Sequence, residues 1–548
     1  MTQHQHSRGS IVRGADLLVK SLAAAGVTRI FSLSGNQIMP VYDACFDAGI
    51  EIIHTRHEAA AVYMAEAYAQ LTGNLGVAMV TAGGGAANAM GGLYTAWESD
   101  TPVLLLTGDS PVSQDGRGAF QEMRQVPMTA PLTKLSIRPV RAADLGTAAA
   151  RAIRTAKSGR PGPVHMSLAF DVVEADATGG NVPPADAFAR ETMALAPEDA
   201  MRVADAVAAA KHPIILCGPV LNTARGPGVR HKLADALDAP VVVMESPRGL
   251  KDPSLGSIAG VMAEADLIVT LGKRVDFTLG FAGTNIFNPA CKWICINADA
   301  DERDRAHRNL EDRIVTALAA DPRDAAETLI AQGTGGTAHQ AWRAKARDQI
   351  AQRSFAPDAP AANGGISPAQ VCAAVQRQID KAKDAVLIID GGEFGQWAQA
   401  ATRTDKRIIN GISGVIGGCL GYGVGAKKAL PDATVFALMG DGTVGFHFAE
   451  FETAARAGTP YVVVIGNDHR WNAEHQIQLR EYGSNRLIGC ELSDARYDLA
   501  VAGLGGHGEY VTDPAELDAA LDRAVASGKV ACVNVELEGL PAPSGPSH

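Results

Sequence analysis

Residues 434–468 read TVFALMGDGTVGFHFAEFETAARAGTPYVVVIGND, and the fold follows from this stretch. Residues 434–439 and 461–465 are short apolar runs rich in β-branched side chains, the pattern of buried strands. Between them, 448–457 has helical spacing stopped by Gly458. The stretch is therefore a βαβ unit, whose parallel strands deliver Asp441 and Asn467 to the same carboxyl edge of a sheet, where open α/β domains bind ligands. Gly-Asp-Gly alone is a common turn in which Asp caps and Gly supplies positive φ. The strand before it, the helix after it and an Asn ending the second strand turn the reading toward a metal–diphosphate site. One carboxylate and one amide oxygen cannot cage Mg2+ alone, but they suffice when phosphate oxygens complete an octahedron.

The same rhythm extends outward in both directions. An N-terminal unit, 1–176, alternates strands at 28–33, 51–54, 76–81 and 103–107 with Ala-rich helices, one of them opened by His57-Glu58 and capped by Gly73. A Pro/Gly/Ala-rich linker at 177–197 leads to a central unit, 195–332. Its strands are expected at 214–217, 241–244, 267–271 and 293–296, with helices at 198–210 and 229–237. A second polar stretch, 333–365, precedes the C-terminal unit, 366–548. The expected fold is α/β, with three doubly wound parallel sheets, the first and third sharing a strand–helix rhythm.

Composition narrows the function classes. Of 548 residues, 47% are hydrophobic and 20% charged, and the net charge of −11 without a Lys/Arg run argues against nucleic acid and anionic membranes as partners. No apolar run of membrane-spanning length occurs and residues 1–10 are polar, so a cytoplasmic location is the default expectation. Among eight scattered Cys, only Cys291 and Cys295 lie close, along an expected strand, and they read as core thiols.

Three motifs together resemble the thiamine-diphosphate enzyme superfamily of acetolactate synthase, benzoylformate decarboxylase and 2-hydroxyacyl-CoA lyase, acetolactate synthase large subunits in particular. They are Gly440-Asp441-Gly442-Thr443 with Asn467, the loop Gly411-Ile412-Ser413-Gly414-Val415-Ile416-Gly417-Gly418, and Arg56-His57-Glu58 followed by 76–81 and Gly83-Gly84-Gly85. The resemblance covers nearly the whole chain. It implies a pyrimidine-binding domain, a central Rossmann-like domain and a diphosphate-binding domain. It further implies that Asp441, Asn467 and the backbone carbonyl of His469 hold Mg2+ against the diphosphate bound along Gly440, Gly442 and Thr443. Ile416 would prop the thiazolium, with the backbones of Gly414 and Ile416 on the pyrimidine edge. Glu58 would bond that ring and favour the tautomer that activates C2. Glu58 and Asp441 would meet from two subunits of a homodimer or homotetramer.

The resemblance also frames substrate choice, with a small carbonyl compound as the partner. Ala119-Phe120-Gln121-Glu122 resembles the acetolactate synthase run whose Phe and Gln face substrate, making Gln121 a second candidate catalytic residue. Ser34-Gly35-Asn36-Gln37 replaces a Pro-Gly-Gly-Ala-like pattern, and its two amides, Asn36 and Gln37, would line a narrower, more polar wall. Trp471 and His475 fall where a covering helix is expected. Cys217-Gly218-Pro219-Val220 lacks a Gly-x-Gly turn, which weighs against FAD in the central domain and leaves ADP or an empty domain. Arg225, Arg248, Lys273 and Arg274 there are read as surface cations. The implied reaction is decarboxylation of a 2-oxo acid, forming an enamine that is protonated or passed to an acceptor carbonyl. A 2-hydroxyacyl-CoA or acyloin lyase is the alternative, and a noncatalytic regulatory subunit is the alternative of another class.

Overall fold

Three parallel sheets carry the chain, and their central strands are apolar runs of five to seven residues that have no polar face to present to water and are therefore covered by helices on both sides. The computed structural model describes residues 12–222, 225, 228–333, 335–362, 364–410 and 412–543. The polar start at 1–10 and Gly411 of the glycine loop lie outside the described residues. The chain divides into two compact units. One contains most of the residues up to Glu191, and the other contains Thr192–His548 together with Ala67–Gly73 and Glu98–Thr101.

In the first unit the strands lie in the order Glu51–His54, Arg29–Ser32, Gly76–Val80, Val103–Asp109, Val164–Ala169, Ser136–Ile137. The third sheet repeats this permutation: Lys406–Ile409, Ala385–Ile389, Thr434–Gly440, Val462–Asn467, Ala531–Glu536, His507–Val511. Numbered by chain position within its own sheet, each reads 2-1-3-4-6-5, so the rhythm shared by the two halves reflects one topology used twice. In both sheets the crossovers reverse direction between the first and third strands, and ligands of open α/β sheets bind at such a switch point.

The central sheet is simpler, ordered Ile314–Leu318, Lys292–Ile296, Leu267–Leu271, Pro213–Cys217, Val241–Val243. Its strands send alternate residues to opposite cores, Ile214 and Leu216 to one and Ile215 and Cys217 to the other, as a pleat of period two requires. Cys291 and Cys295 both lie in the core that holds Ile214, and burial pushes the Cys291 thiol up to about 12.

Most expected strands fall within two residues of the observed ones. Among the described residues, seven strands carry no matching expectation: Ser136–Ile137, Val164–Ala169, Ile314–Leu318, Ala385–Ile389, Lys406–Ile409, His507–Val511 and Ala531–Glu536. Val164–Ala169 is interrupted by His165, Ser136–Ile137 is two residues long, and Ile314–Leu318 is a half-buried edge following a run of charges.

Candidate active site

In the third sheet Gly440 pairs in register with Gly466. The next residue on each strand is Asp441 and Asn467, so parallel pairing alone sets the carboxylate beside the amide at the carboxyl edge. Asp441 opens a short helix, Asp441–Val444, and is 3% exposed. Its Oδ2 is buried and has no hydrogen-bond partner among the described residues. Burial pushes the carboxyl up to about 6, and Asp468, buried and near the charge of Asp441, up to about 7. Asn467 is fully buried, donating Nδ2 to Asn534 Oδ1 at 3.2 Å while its own Oδ1 accepts the His469 N–H at 3.3 Å. His469 has φ +57°, a left-handed conformation that costs a non-glycine residue on the order of 1 kcal/mol or more. Its carbonyl accepts the Leu492 N–H at 2.7 Å, which leaves one lone pair.

These groups fit a hard cation completed by phosphate oxygens. The orphaned Asp441 oxygen is a buried acceptor with no hydrogen-bond partner among the described residues. Among the described residues no group of three or more His, Cys, Asp or Glu side chains is arranged to hold a metal ion.

A cavity of about 320 Å³ opens above this edge and brings Gly414, Ile416, Gly440, Asp441, Gly442, Thr443 and Trp471 together. Gly414 has φ +68° with open space where a Cβ would stand, and a Cβ on Gly442 would lie 2.7 Å from the Trp471 ring. Both positions therefore require glycine. Ile416 is partly exposed toward the cavity, as a prop for a ring would be. Asp390, at the end of Ala385–Ile389 across the switch point, was not singled out from sequence. It is fully buried and accepts the N–H groups of Gly391, Gly417 and Cys419. An acid closing an apolar run before Gly391-Gly392 was the available signal.

The first unit builds a second half-site around its own switch point. Glu58 begins helix Glu58–Thr72 and is 9% exposed, and Asn88 Nδ2 donates to its Oε2 at 3.1 Å. A Cβ on Gly85 would stand 3.5 Å from Glu58 Oε1, so the triple-glycine turn lies against the carboxyl. Beside this turn the hydrogen bonds run in one direction. Thr81 Oγ1 donates to Gln37 Oε1 at 2.7 Å, and Gln37 Nε2 donates to Gln121 Oε1 at 2.8 Å. Gln121, held at φ +59°, therefore has its acceptor occupied and its NH2 available. Glu122 pins the loop by accepting the N–H groups of Gly116, Gly118 and Ala119.

Asn36 and Phe120 are exposed, Phe120 at 77%, whereas Gln37 is buried. The 3-10 turn Asn36–Ile38 sends adjacent residues to different sides. His475 is buried and, unlike Trp471, does not line the cavity, because it sits a full turn into helix Asn472–Tyr482. Lys273 and Arg274 are not surface cations. They are 2% and 5% exposed, Lys273 donating to Thr278 Oγ1 at 2.5 Å and Arg274 pairing with Glu98 at 2.6 Å and Asp100 at 3.2 Å. Pairing lets the Arg274 charge tolerate burial, whereas burial lowers the Lys273 pKa to about 8. Arg248 lines the cavity above Asp441.

Three family models match the chain. The thiamine pyrophosphate enzyme N-terminal TPP binding domain covers residues 12–128, the central domain 200–329, and the C-terminal TPP binding domain 390–535. The acetolactate synthase large subunit IlvG of Mycobacterium tuberculosis is 31% identical over 95% of this chain and 94% of its own length. The 2-hydroxyacyl-CoA lyase 2 of Danio rerio is 28% identical over 97% and 93%, and that of Homo sapiens 28% identical over 92% and 86%.

Proposed function

Because the chain belongs to the thiamine pyrophosphate enzyme family, and so to the lyases and transferases of carbon–carbon bonds, we propose that it decarboxylates a 2-oxo acid with thiamine diphosphate and Mg2+. The remaining carbon unit is protonated or transferred to an acceptor carbonyl. The observation that carries this reading is the orphaned, buried Asp441 oxygen beside Asn467 at the rim of a cavity floored by Ile416.

In this reading Asp441, Asn467 and the free lone pair of the His469 carbonyl hold Mg2+, and the main chain along Gly440–Thr443 faces the diphosphate. Gly414 and Ile416 present their backbones to the pyrimidine edge, while the Ile416 side chain excludes water beneath the thiazolium. The chemistry supplied by bound thiamine diphosphate is that of a carbon nucleophile and an electron sink next to a carbonyl. Asn88 fixes Glu58 through Oε2, and Glu58 holds a proton at a ring nitrogen of the pyrimidine. The Thr81–Gln37–Gln121 relay turns the Gln121 NH2 outward, a donor matched to a carboxylate or carbonyl oxygen of the substrate. A homodimer would pair Glu58 of one protomer with the diphosphate site of the other.

The test presents the Mg2+ and thiamine-diphosphate form with 2-oxo acids, acyloins and 2-hydroxyacyl thioesters, following CO2 and products by NMR. CO2 release from a 2-oxo acid is the expected result. Cleavage of an acyloin or thioester with no CO2 from any 2-oxo acid would reassign the enzyme to the lyase class. A noncatalytic role predicts no turnover of any donor and no effect of Glu58→Gln on exchange of the cofactor's C2 proton.

A further inference from the structure

Among the described residues, none from Ser113 to Lys134 belongs to the apolar core of the first unit, although the strand leading into this stretch, Val103–Asp109, is buried throughout. The stretch carries Gln121. Around it the loop turns through three left-handed residues, Gly116 and Gly118 at φ +73° and Gln121 at +59°. A cavity of about 510 Å³ is lined by Gly118, Glu122 and Gln125 of the loop and by Asp109, Ser110 and Arg138. Without apolar packing and with a void beside it, the loop keeps its place through polar ties.

Those ties converge on Asp109, the last residue of its strand and 3% exposed. From one end of the loop, Gln125 donates Nε2 to Ser167 Oγ at 3.1 Å, and Ser167 Oγ donates to Asp109 Oδ2 at 2.6 Å. Gln125 also donates to the Gly108 carbonyl at 2.9 Å and accepts the Gly83 N–H through Oε1 at 3.2 Å. From the other end the tie is Arg138. Its Nε lies 2.7 Å from Asp109 Oδ2, and its two Nη atoms donate to the two oxygens of Asp115 at 2.6 and 2.9 Å. Nη2 also donates to the Ser110 carbonyl at 3.0 Å. Arg138 follows directly on the edge strand Ser136–Ile137, so it spans the strand Val164–Ala169 to reach Asp109. A planar fork on both oxygens of Asp115 fixes that carboxylate in orientation as well as distance, which a lysine cannot do.

The tether bears on Gln121 because the room there is narrow. A Cβ on Gly83 would lie 3.0 Å from Gln121 Cβ, so the loop passes the triple-glycine turn at contact distance. Gln121 Oε1 is held by Gln37, and a displacement of about 1 Å is enough to misalign such a donor with a reacting group.

We infer that Arg138 is a positioning residue for the reaction: it ties the loop through Asp115 to the buried Asp109, and so fixes where Gln121 presents its NH2 to the substrate. The inference rests on the reading above that Gln121 faces a carboxylate or carbonyl oxygen of the substrate. It holds equally for a 2-oxo acid, an acyloin or a thioester.

The experiment compares full-length wild type, Arg138→Ala, Arg138→Lys, Asp115→Ala, Gln121→Ala and the double variant of Arg138→Ala with Gln121→Ala, each loaded with Mg2+ and thiamine diphosphate. Steady-state rates on the donor turned over fastest, cofactor affinity, and trypsin cleavage after Arg117 and Arg124, both exposed on the loop, are measured. In Arg138→Ala and Asp115→Ala, kcat/KM falls roughly tenfold or more while cofactor affinity holds and loop cleavage quickens several-fold. Arg138→Lys retains part of the rate. The double variant matches Gln121→Ala within about twofold, since a tether acting through Gln121 then has nothing left to position. Asp115 is exposed, so Asp115→Ala cuts the tie without stranding a buried charge and decides the matter even where Arg138→Ala does not fold. Losses that multiply in the double variant, or rate and cleavage both unchanged in Asp115→Ala, would overturn the inference. Failure of the reading beneath it looks different. Gln121→Ala then keeps full activity, or no donor is turned over, while loop cleavage still quickens in Asp115→Ala, which ends the positioning role and leaves a structural tether.

Discussion

Asp390 accepts the backbone N–H of Gly417 through both carboxylate oxygens, at 2.9 and 3.1 Å, and so ties the end of one strand to the loop that carries Gly414 and Ile416. Burial raises the Asp390 carboxyl above the usual carboxylate range, which the surrounding N–H groups partly offset. The loop's shape therefore depends on a side chain that touches no substrate. Asp390→Ala leaves three backbone donors without this acceptor, at about 1–3 kcal/mol for a buried group. The expected outcome is thiamine-diphosphate binding weakened by roughly tenfold or more, read by fluorescence quenching. An unchanged dissociation constant would separate Asp390 from cofactor binding.

Asp441 should trade stability for binding. Its buried oxygen lacks a partner in the metal-free chain, so Asp441→Asn, which removes the charge without changing the shape, raises the melting temperature of the cofactor-free protein, by about 1–3 °C. The same substitution abolishes stabilisation by Mg2+ with thiamine diphosphate, and EDTA abolishes it in wild type. A metal-independent thermal shift would contradict the assignment.

If each site takes Glu58 from one protomer and Asp441 from the other, two inactive variants can rescue one another. Refolding an equal mixture of Glu58→Gln and Asp441→Ala restores about a quarter of wild-type activity, since half the dimers are mixed and each mixed dimer holds one intact site. Activity that stays at background in mixtures shown by mass spectrometry to contain heterodimers would place both residues of a site in the same chain.

The first unit should lose stability in acid through His165. It is fully buried, its ring nitrogens meeting the hydroxyls of Thr107, Thr129 and Ser136, and burial lowers its pKa to about 3. Between about pH 6.5 and that value the unfolded chain binds a proton that the folded chain does not. Its contribution is therefore complete above pH 6.5 and declines by about 1.4 kcal/mol per unit as pH falls. His165→Asn flattens the dependence of stability on pH between 6.5 and 5, measured by denaturant unfolding followed in the first unit. An identical slope in both proteins would assign the acid sensitivity to other groups.

The Gln121 relay predicts a split between substrate and cofactor. Gln37→Leu removes the bond that occupies Gln121 Oε1 and frees that amide to rotate, so KM for a 2-oxo acid rises several-fold or more while thiamine-diphosphate affinity holds. Loss of cofactor binding instead would make Gln37 a packing residue.

Sequence alone determined the three-sheet α/β architecture, because short β-branched runs alternating with helical spacing admit few arrangements. It also determined that Asp441 and Asn467 lie together, since both follow directly on adjacent parallel strands and need no long-range information. Tertiary structure alone decided which of two neighbouring amides faces inward, Gln37 and not Asn36, and which of the central cations are buried, Lys273 and Arg274. It also set Asp390 beneath the glycine loop. A local pattern fixes the strand on which a residue sits, but burial and pairing depend on what other segments bring to the same place, and that information is absent from any one stretch of chain.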